Sequence, residues 1–205
     1  MNKWRVVITD HIFPSIDIER VILEQAGATV DLYRPGRHGN LAEACREADA
    51  ILTCYARISA DMVGQLNRCK IIARYGIGVD NVDVDAATKK GIPVTNVPDY
   101  CIEEVADHAL SLILALVRKT VWLNDSVRRG EWDYRSHRPI RRLQTMSVGI
   151  AGFGKIGRAL AKRIRAIGMN LKVCDPYVDA PLIEAHGGRK VDFEDLIASC
   201  DVISL

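Results

Sequence analysis

Short apolar runs alternate with segments of helical period along almost the whole of this 205-residue chain. Trp4 to Thr9, Thr29 to Tyr33, Ala50 to Thr53, Lys70 to Arg74 and Pro93 to Thr95 read as strands, with Ile16 to Ala26, Leu41 to Glu47, Ser59 to Leu66 and Val84 to Lys90 as the helices between them. Strands spaced by helices imply parallel β-α-β units, because parallel neighbours need a long crossover whereas antiparallel ones need only a tight turn. The first hundred or so residues are therefore expected to form one α/β layered domain.

The pattern changes at Asn96-Val97-Pro98-Asp99. Pro98 disfavours a helical conformation at Val97, Asp99 is placed to cap the next helix, and Glu103 and Glu104 suit that helix's positive end. We draw the domain boundary here, with residues 1–99 as the first domain and 100–205 as the second. The helix expected from Ile102 to about Leu123 is apolar on most sides, which implies burial between layers or subunits. It is not a membrane span, because Asp107 and His108 interrupt its start and Arg118 and Lys119 its end. After an arginine-rich connection, Asn124 to Arg142, the alternation resumes. Strands are expected at Met146 to Ala151, Asn170 to Cys174 and Asp201 to Leu205, a helix at Lys155 to Ile167, and helical segments around Pro181 to Ala185 and Phe193 to Ala198.

In this second part Gly152-Phe153-Gly154-Lys155-Ile156-Gly157 follows a strand and opens a helix whose Ile156, Leu160, Ile164 and Ile167 form one apolar stripe. In a dinucleotide-binding turn each glycine has its own duty. Gly152 permits the tight turn out of the strand, Gly154 lets backbone approach a pyrophosphate, and Gly157 lets helix and sheet pack closely. The N–H groups and dipole of the helix start then face the anion. The next strand ends in Asp175, 18 residues after Gly157, near the separation of about 20 expected of the acid that holds the adenosine ribose. A carboxylate there accepts hydrogen bonds from ribose hydroxyls and repels a 2′-phosphate, and Pro176-Tyr177 supplies no arginine, so NAD is favoured over NADP. An S-adenosylmethionine site, which also uses glycines and an acidic ribose ligand, is the alternative at this point.

Composition excludes other classes. Lysine and arginine number 28 against 26 aspartates and glutamates, too even a balance to argue for nucleic acid. No apolar run approaches about 18 residues, and Met1 to Phe13 has too short an apolar stretch for a secretion signal, so neither membrane insertion nor export is expected. Six scattered cysteines without a Cys-x-x-Cys pair read as reduced thiols of a cytoplasmic protein, not as a zinc site. Arg128 to Arg142 holds six arginines with Trp132 and Tyr134 interleaved. Such a mixture can bind single-stranded nucleic acid, but the better reading is a solvated connection near a subunit contact. His11, His38, His137 and His186 fall in turns or polar stretches without a carboxylate at a motif spacing, and His108, in the long helix, is expected to be structural.

Ala73 to Asp83 (ARYGIGVDNVD), Gly91 to Pro98 (GIPVTNVP), Glu104 to Leu110 (EVADHAL), the glycine turn and Val173 to Tyr177 (VCDPY) occur in one order. In that order they resemble the D-isomer-specific 2-hydroxyacid dehydrogenase family, in the branch that contains phosphoglycerate dehydrogenase and the C-terminal binding protein corepressors. The resemblance implies an α/β fold with a flavodoxin-like substrate domain and the first half of a Rossmann dinucleotide-binding domain. It implies that Gly76, Ile77 and Gly78 form a loop whose amides meet a substrate carboxylate, with Ile77 also at the nicotinamide end of the cofactor, and that Arg74 pairs with that carboxylate. It places NAD at Gly152, Phe153, Gly154, Lys155, Ile156, Gly157 and Asp175, with a small 2-hydroxy or 2-keto acid as substrate and a homodimer when full length.

The arginine, glutamate and histidine that carry the family's chemistry would follow Leu205. No catalytic residue is therefore assigned within the chain, which is expected to be a fragment without activity of its own. The strand Met146 to Ala151, central in a sheet ordered 3-2-1-4-5-6, is then expected to have one edge open. The expected function is an NAD-dependent oxidoreductase acting on a D-2-hydroxy acid, with an NAD(H)-sensing corepressor-like scaffold as the alternative.

Overall fold

The computed structural model describes residues 4–36 and 39–205, so His38 and the side chain of Tyr134 lie outside the described residues. The chain divides into two compact units, Met1–Tyr100 and Cys101–Leu205. The expected α/β class holds in both, each being built on a wholly parallel sheet.

The first unit runs β1 (Trp4–Ile8), α1 (Asp17–Gln25), β2 (Ala28–Leu32), α2 (Leu41–Cys45), β3 (Ala50–Thr53), α3 (Ala60–Gln65), β4 (Ile71–Arg74), α4 (Val84–Lys89) and β5 (Val94–Thr95). Its sheet is ordered β2-β1-β3-β4-β5, the flavodoxin-like arrangement. Val6, Val7 and Ile8 are consecutive and all buried, as expected of a central parallel strand covered on both faces. The short helices are started by side chains. Asn40 and Glu43 form a capping box at α2, the Ser59 hydroxyl accepts from the Met62 N–H at α3, and Asp83 accepts from the Ala86 N–H at α4.

The second unit runs α5 (Ile102–Val117), α6 (Thr120–Arg128), two short 3-10 turns, β6 (Ser147–Ala151), α7 (Lys155–Ala166), β7 (Asn170–Cys174), α8 (Ala180–Ala185), β8 (Arg189–Lys190), α9 (Phe193–Ser199) and β9 (Val202–Ser204). Its sheet order is β8-β7-β6-β9, the first four strands of a 3-2-1-4-5-6 sheet.

This order corrects one expectation. The central strand β6 is not open, because β9 pairs with it through Val148↔Val202, Gly149↔Ile203 and Ile150↔Ser204. The crossover helix α9 sets this pairing by burying Leu196 against Gly149, where a larger residue would meet the leucine side chain. The strands at the sheet's two edges are β8 and β9.

The single helix expected from Ile102 to Leu123 is two helices. The chain breaks at Lys119, which takes a left-handed conformation (φ +59°), and α6 then extends to Arg128, inside the stretch expected to be a loose connection. Cys101, not Asp99, occupies the N-cap position of α5. Within the chain α5 is covered on one side. Ala106, Ile113 and Val117 join the core with Leu160 and Ile164 of α7, while Val105, Leu112 and Leu116 are exposed. Arg163 of α7 clamps the start of α5 through Asp107 (2.6 Å) and Glu103 (2.8 Å). The strand β8 escaped the sequence reading because Gly188-Arg189-Lys190 has no apolar alternation.

A left-handed residue other than glycine costs ~1 kcal/mol, and Lys119 recovers part of that through its ammonium over the Trp122 ring, 5.1 Å from the centroid. Lys119→Gly is therefore expected to stabilise the protein by ~0.5 kcal/mol, and Lys119→Val to destabilise it by more than about 1 kcal/mol, in urea unfolding followed by circular dichroism.

Candidate functional site

The turn between β6 and α7 is built from missing side chains. Gly152 leaves the strand at φ +97°, a conformation that side chains disfavour, and its N–H donates to the Cys174 carbonyl (2.9 Å). Gly154 is the N-cap of α7 and brings no side-chain cap, and a Cβ added at Gly152 or Gly154 would meet nothing within 4 Å. The ground in front of the helix start is open. Gly157 works from the other side: a Cβ there would collide with the Gly152 carbonyl oxygen, so only glycine lets α7 sit this close to the turn.

Phe153 points the opposite way. Its ring is fully buried in the core and meets His186 edge-on, with centroids 5.3 Å apart. Its N–H donates to Asp175 Oδ2 (2.6 Å), while Asp175 Oδ1 accepts from the Tyr177 N–H (2.8 Å). These two donors, Phe153 first and then Tyr177, hold the Asp175 carboxyl below the usual carboxylate range. The parallel register Ala151↔Cys174 puts the ends of β6 and β7 side by side, which is why an acid so distant in sequence reaches the turn. Lys155 is exposed and Ile156 half-buried beside these groups.

The other sequence-derived candidates lie in the first unit, after β4. The Arg74 guanidinium folds over Gly76 so closely that a Cβ on Gly76 would strike it, and Arg74 Nε is buried without a hydrogen-bond partner among the described residues. The Gly76 N–H donates to the Arg74 carbonyl (2.9 Å) and the Gly76 carbonyl accepts from Val97 N–H (3.0 Å). Asn96 Nδ2 donates to the Ile77 carbonyl (2.7 Å). The loop is thus braced from behind, leaving Ile77 and Gly78 as the amides that could meet an anion.

Two residues of this region were not singled out by their sequence context. One is Asn96, legible only as part of a proline-containing boundary. The other is Asp10, just past β1, whose carboxylate gathers the N–H groups of Cys54 (3.0 Å), Tyr55 (2.6 Å) and Ala56 (3.2 Å) and the Thr9 hydroxyl (2.7 Å). Burial pushes this carboxyl up, but the backbone donors, Cys54 and Tyr55 foremost, outweigh it and hold it below its ordinary value. An acid at the end of an apolar strand was the available signal; the partners, being backbone, leave none.

The histidines are occupied locally. His11 Nδ1 lies 2.9 Å from the Phe13 carbonyl, His137 Nε2 2.9 Å from the Ser126 hydroxyl, and His186 Nδ1 2.8 Å from the Leu182 carbonyl. His108 is exposed on α5. In the arginine-rich segment Arg129 pairs with Glu131, Arg135 with Asp133 and Arg141 with Asp201. Acids close in space thus neutralise cations that a polyanion would need.

Residues 6–198 match the profile of the D-isomer specific 2-hydroxyacid dehydrogenase catalytic domain. The chain belongs to that family. Among its relatives, a D-3-phosphoglycerate dehydrogenase of Methanocaldococcus jannaschii is 34% identical over 203 residues, covering 98% of this chain and 38% of the relative. A glyoxylate reductase of Thermococcus litoralis is 38% identical over 174 residues, 82% of this chain and 53% of that enzyme. The crystal structure of an Aquifex aeolicus D-lactate dehydrogenase complexed with NAD and lactic acid superposes with a TM-score of 0.87 at 26% identity, over 98% of this chain and 60% of the other. The chain thus spans less than two thirds of each of these proteins.

Two measurements probe this construction. Gly157→Ala sets a methyl group against backbone, and is expected to cost ~1–3 kcal/mol in urea unfolding. Because its folded carboxyl sits below its unfolded value, Asp10 stabilises the fold above the unfolded value and loses that contribution as pH falls through the folded one. The stability gap between wild type and Asp10→Asn is therefore expected to be constant above about pH 5 and to shrink below about pH 4.

Proposed function

We propose that the protein is an NAD-dependent oxidoreductase that interconverts a D-2-hydroxy acid and its 2-keto acid. The observation that carries this reading is the Asp175 carboxylate, fixed by the Phe153 and Tyr177 N–H groups at the mouth of an open glycine turn. The backbone of Gly152, Gly154, Lys155 and Ile156 would cradle a pyrophosphate, with Gly157 allowing the helix start to come near it. Asp175 would accept hydrogen bonds from the ribose hydroxyls. Pro176 and Tyr177 follow it without a cation to receive a 2′-phosphate, which supports NAD over NADP. The bare turn and the fixed acid fit a dinucleotide.

In the first unit Arg74, whose Nε has no partner among the described residues, would pair with the substrate carboxylate, joined by the Ile77 and Gly78 amides. When bound, the cofactor supplies or accepts the hydride at the substrate's C2; in the reducing direction a proton goes to the keto oxygen, so that 2-keto acid, NADH and a proton give 2-hydroxy acid and NAD. None of the chain's own residues is assigned the proton transfer. The names of the relatives support this class, as does the NAD and lactic acid held by the Aquifex aeolicus enzyme.

A cytoplasmic homodimer completes the reading. The six free thiols suit a reducing compartment. Leu112, Leu116, Val121 and Trp122 of α5 and α6 are exposed and would offer apolar surface to a second copy.

Titration calorimetry tests the proposal. NAD and NADH are expected to bind and NADP to bind more weakly, while Asp175→Ala weakens NAD by ~10–100-fold, the worth of a charged hydrogen-bond set. A thermal melt without nucleotide separates this loss from any loosening of the turn. Absence of dinucleotide binding, or an Asp175→Ala protein that binds NAD as before, defeats the proposal; binding without reduction of any 2-keto acid would favour a nucleotide-sensing scaffold.

A further inference from the structure

The helix α7 reads KIGRALAKRIRA, five cations and no acid, in a chain whose charges otherwise nearly balance at 28 against 26. Arg163 is neutralised by Glu103 and Asp107. Arg158, Lys162 and Arg165 are not, for among the described residues none of the three has an acid partner. Elsewhere in the second unit Arg129, Arg135, Arg141 and Arg189 each meet an acid.

The three stand at i, i+4 and i+7, on one face of the helix. Like charges at that spacing repel and weaken a helix, and Arg158 lies near its positive end, where a cation is further disfavoured. An anion bound along this face would relieve both effects. The three side chains border a groove of about 340 Å³ between the start of α5, α7 and the end of α8, and Lys155 of the glycine turn borders it too. The groove's single acid, Glu103, is held by Arg163 at 2.8 Å. Its apolar lining is Ile102, Ala159 and Ala185, and its one ring, His186, is packed edge-on to Phe153 with centroids 5.3 Å apart.

These features select among anions. From Arg158 to Arg165 the helix rises about 10 Å, too far for one phosphate or carboxylate to serve all three cations. Nucleic acid would find no free ring on which to stack a base. An extended peptide, by contrast, sets every second side chain on the same side, about 6–7 Å apart, so that carboxylates at alternating positions span the three cations. The long cationic side chains absorb the remaining mismatch in spacing.

We propose that this groove docks an extended acidic segment of another polypeptide, with carboxylates at every second residue meeting Arg158, Lys162 and Arg165. Charge complementarity carries the recognition, and the small apolar groups between the cations let the peptide backbone lie close. The surface belongs to the second unit alone and does not depend on the function proposed above.

The test is fluorescence anisotropy on the intact protein with two labelled octapeptides, one alternating glutamate with serine and the other glutamine with serine. The acidic peptide is expected to bind ~10-fold or more tightly than the neutral one, the sum of three exposed ion pairs. That preference is expected to disappear between about 0.1 M and about 1 M salt, as the screening length falls from ~10 Å to ~3 Å. Equal binding of the two peptides overturns the proposal, as does tighter binding of a single-stranded oligonucleotide.

The double variant Lys162→Glu, Arg165→Glu, at two exposed positions, is expected to lose ~10-fold or more in affinity for the acidic peptide while its thermal midpoint shows that it is folded. A folded double variant that binds the acidic peptide as before defeats the proposal. If it does not fold, the wild-type comparison and Arg158→Gln, expected to weaken the acidic peptide by ~3-fold, still decide.

Discussion

The hydrogen bond from the Phe153 N–H to the Asp175 carboxylate joins the end of one parallel strand to the turn that follows its neighbour. Everything proposed for the second unit depends on it. Without a fixed acid the glycine turn is only a sharp bend, and without the turn the acid has nothing to complement. The bond forms because β6 and β7 pair in parallel and end together, and because the Phe153 ring, buried on the far side, orients its own N–H outward. Core packing and site geometry are thus set by one residue: the same ring that fills the interior aims the amide.

The first unit uses the same device at a different strand end. Asp10 follows β1, and its carboxylate collects the N–H groups of the loop after β3, its neighbour in the sheet. In both places parallel pairing leaves a row of loops at one sheet edge, and an aspartate in one loop organises the backbone of the next. The consequences differ with access. Asp175 sits where the adjoining ground is open, so it can serve a ligand as well as the turn. Asp10 has three backbone amides and two hydroxyls, of Thr9 and Thr53, on its two oxygens and is partly buried, so it serves the fold.

The parts of this arrangement that were legible in the sequence are those encoded by local pattern. Apolar runs separated by helical periods give parallel strands, and Gly152, Gly154, Gly157 and Asp175 stand at spacings with a mechanical meaning, so fold class and family could be read directly. What was not legible depends on three-dimensional partners or on single backbone conformations. The break at Lys119 lies in an unbroken helical pattern, since lysine gives no warning of a left-handed residue. The pairing of β9 with β6 depends on the crossover through α9, which buries Leu196 against Gly149, a contact that no local pattern announces. The amide partners of Asp10 belong to the peptide backbone, which carries no sequence signature.

One face of α5 is packed into the core and another apolar part is exposed. Its Ala106, Ile113 and Val117 are buried with α7, and Arg163 ties its first turn down, so the helix belongs to the second unit by its contacts. A helix serving only that purpose would be polar on its outer face. Instead Leu112 and Leu116 project outward, and beyond the Lys119 break Val121, Trp122 and Val127 continue the apolar character along α6. The break at Lys119 separates the two helices, and Leu116 and Trp122 line one pocket across it. Apolar surface is costly to leave in water, at about 25 cal/mol for each Å², and that cost is what the proposed second copy would remove.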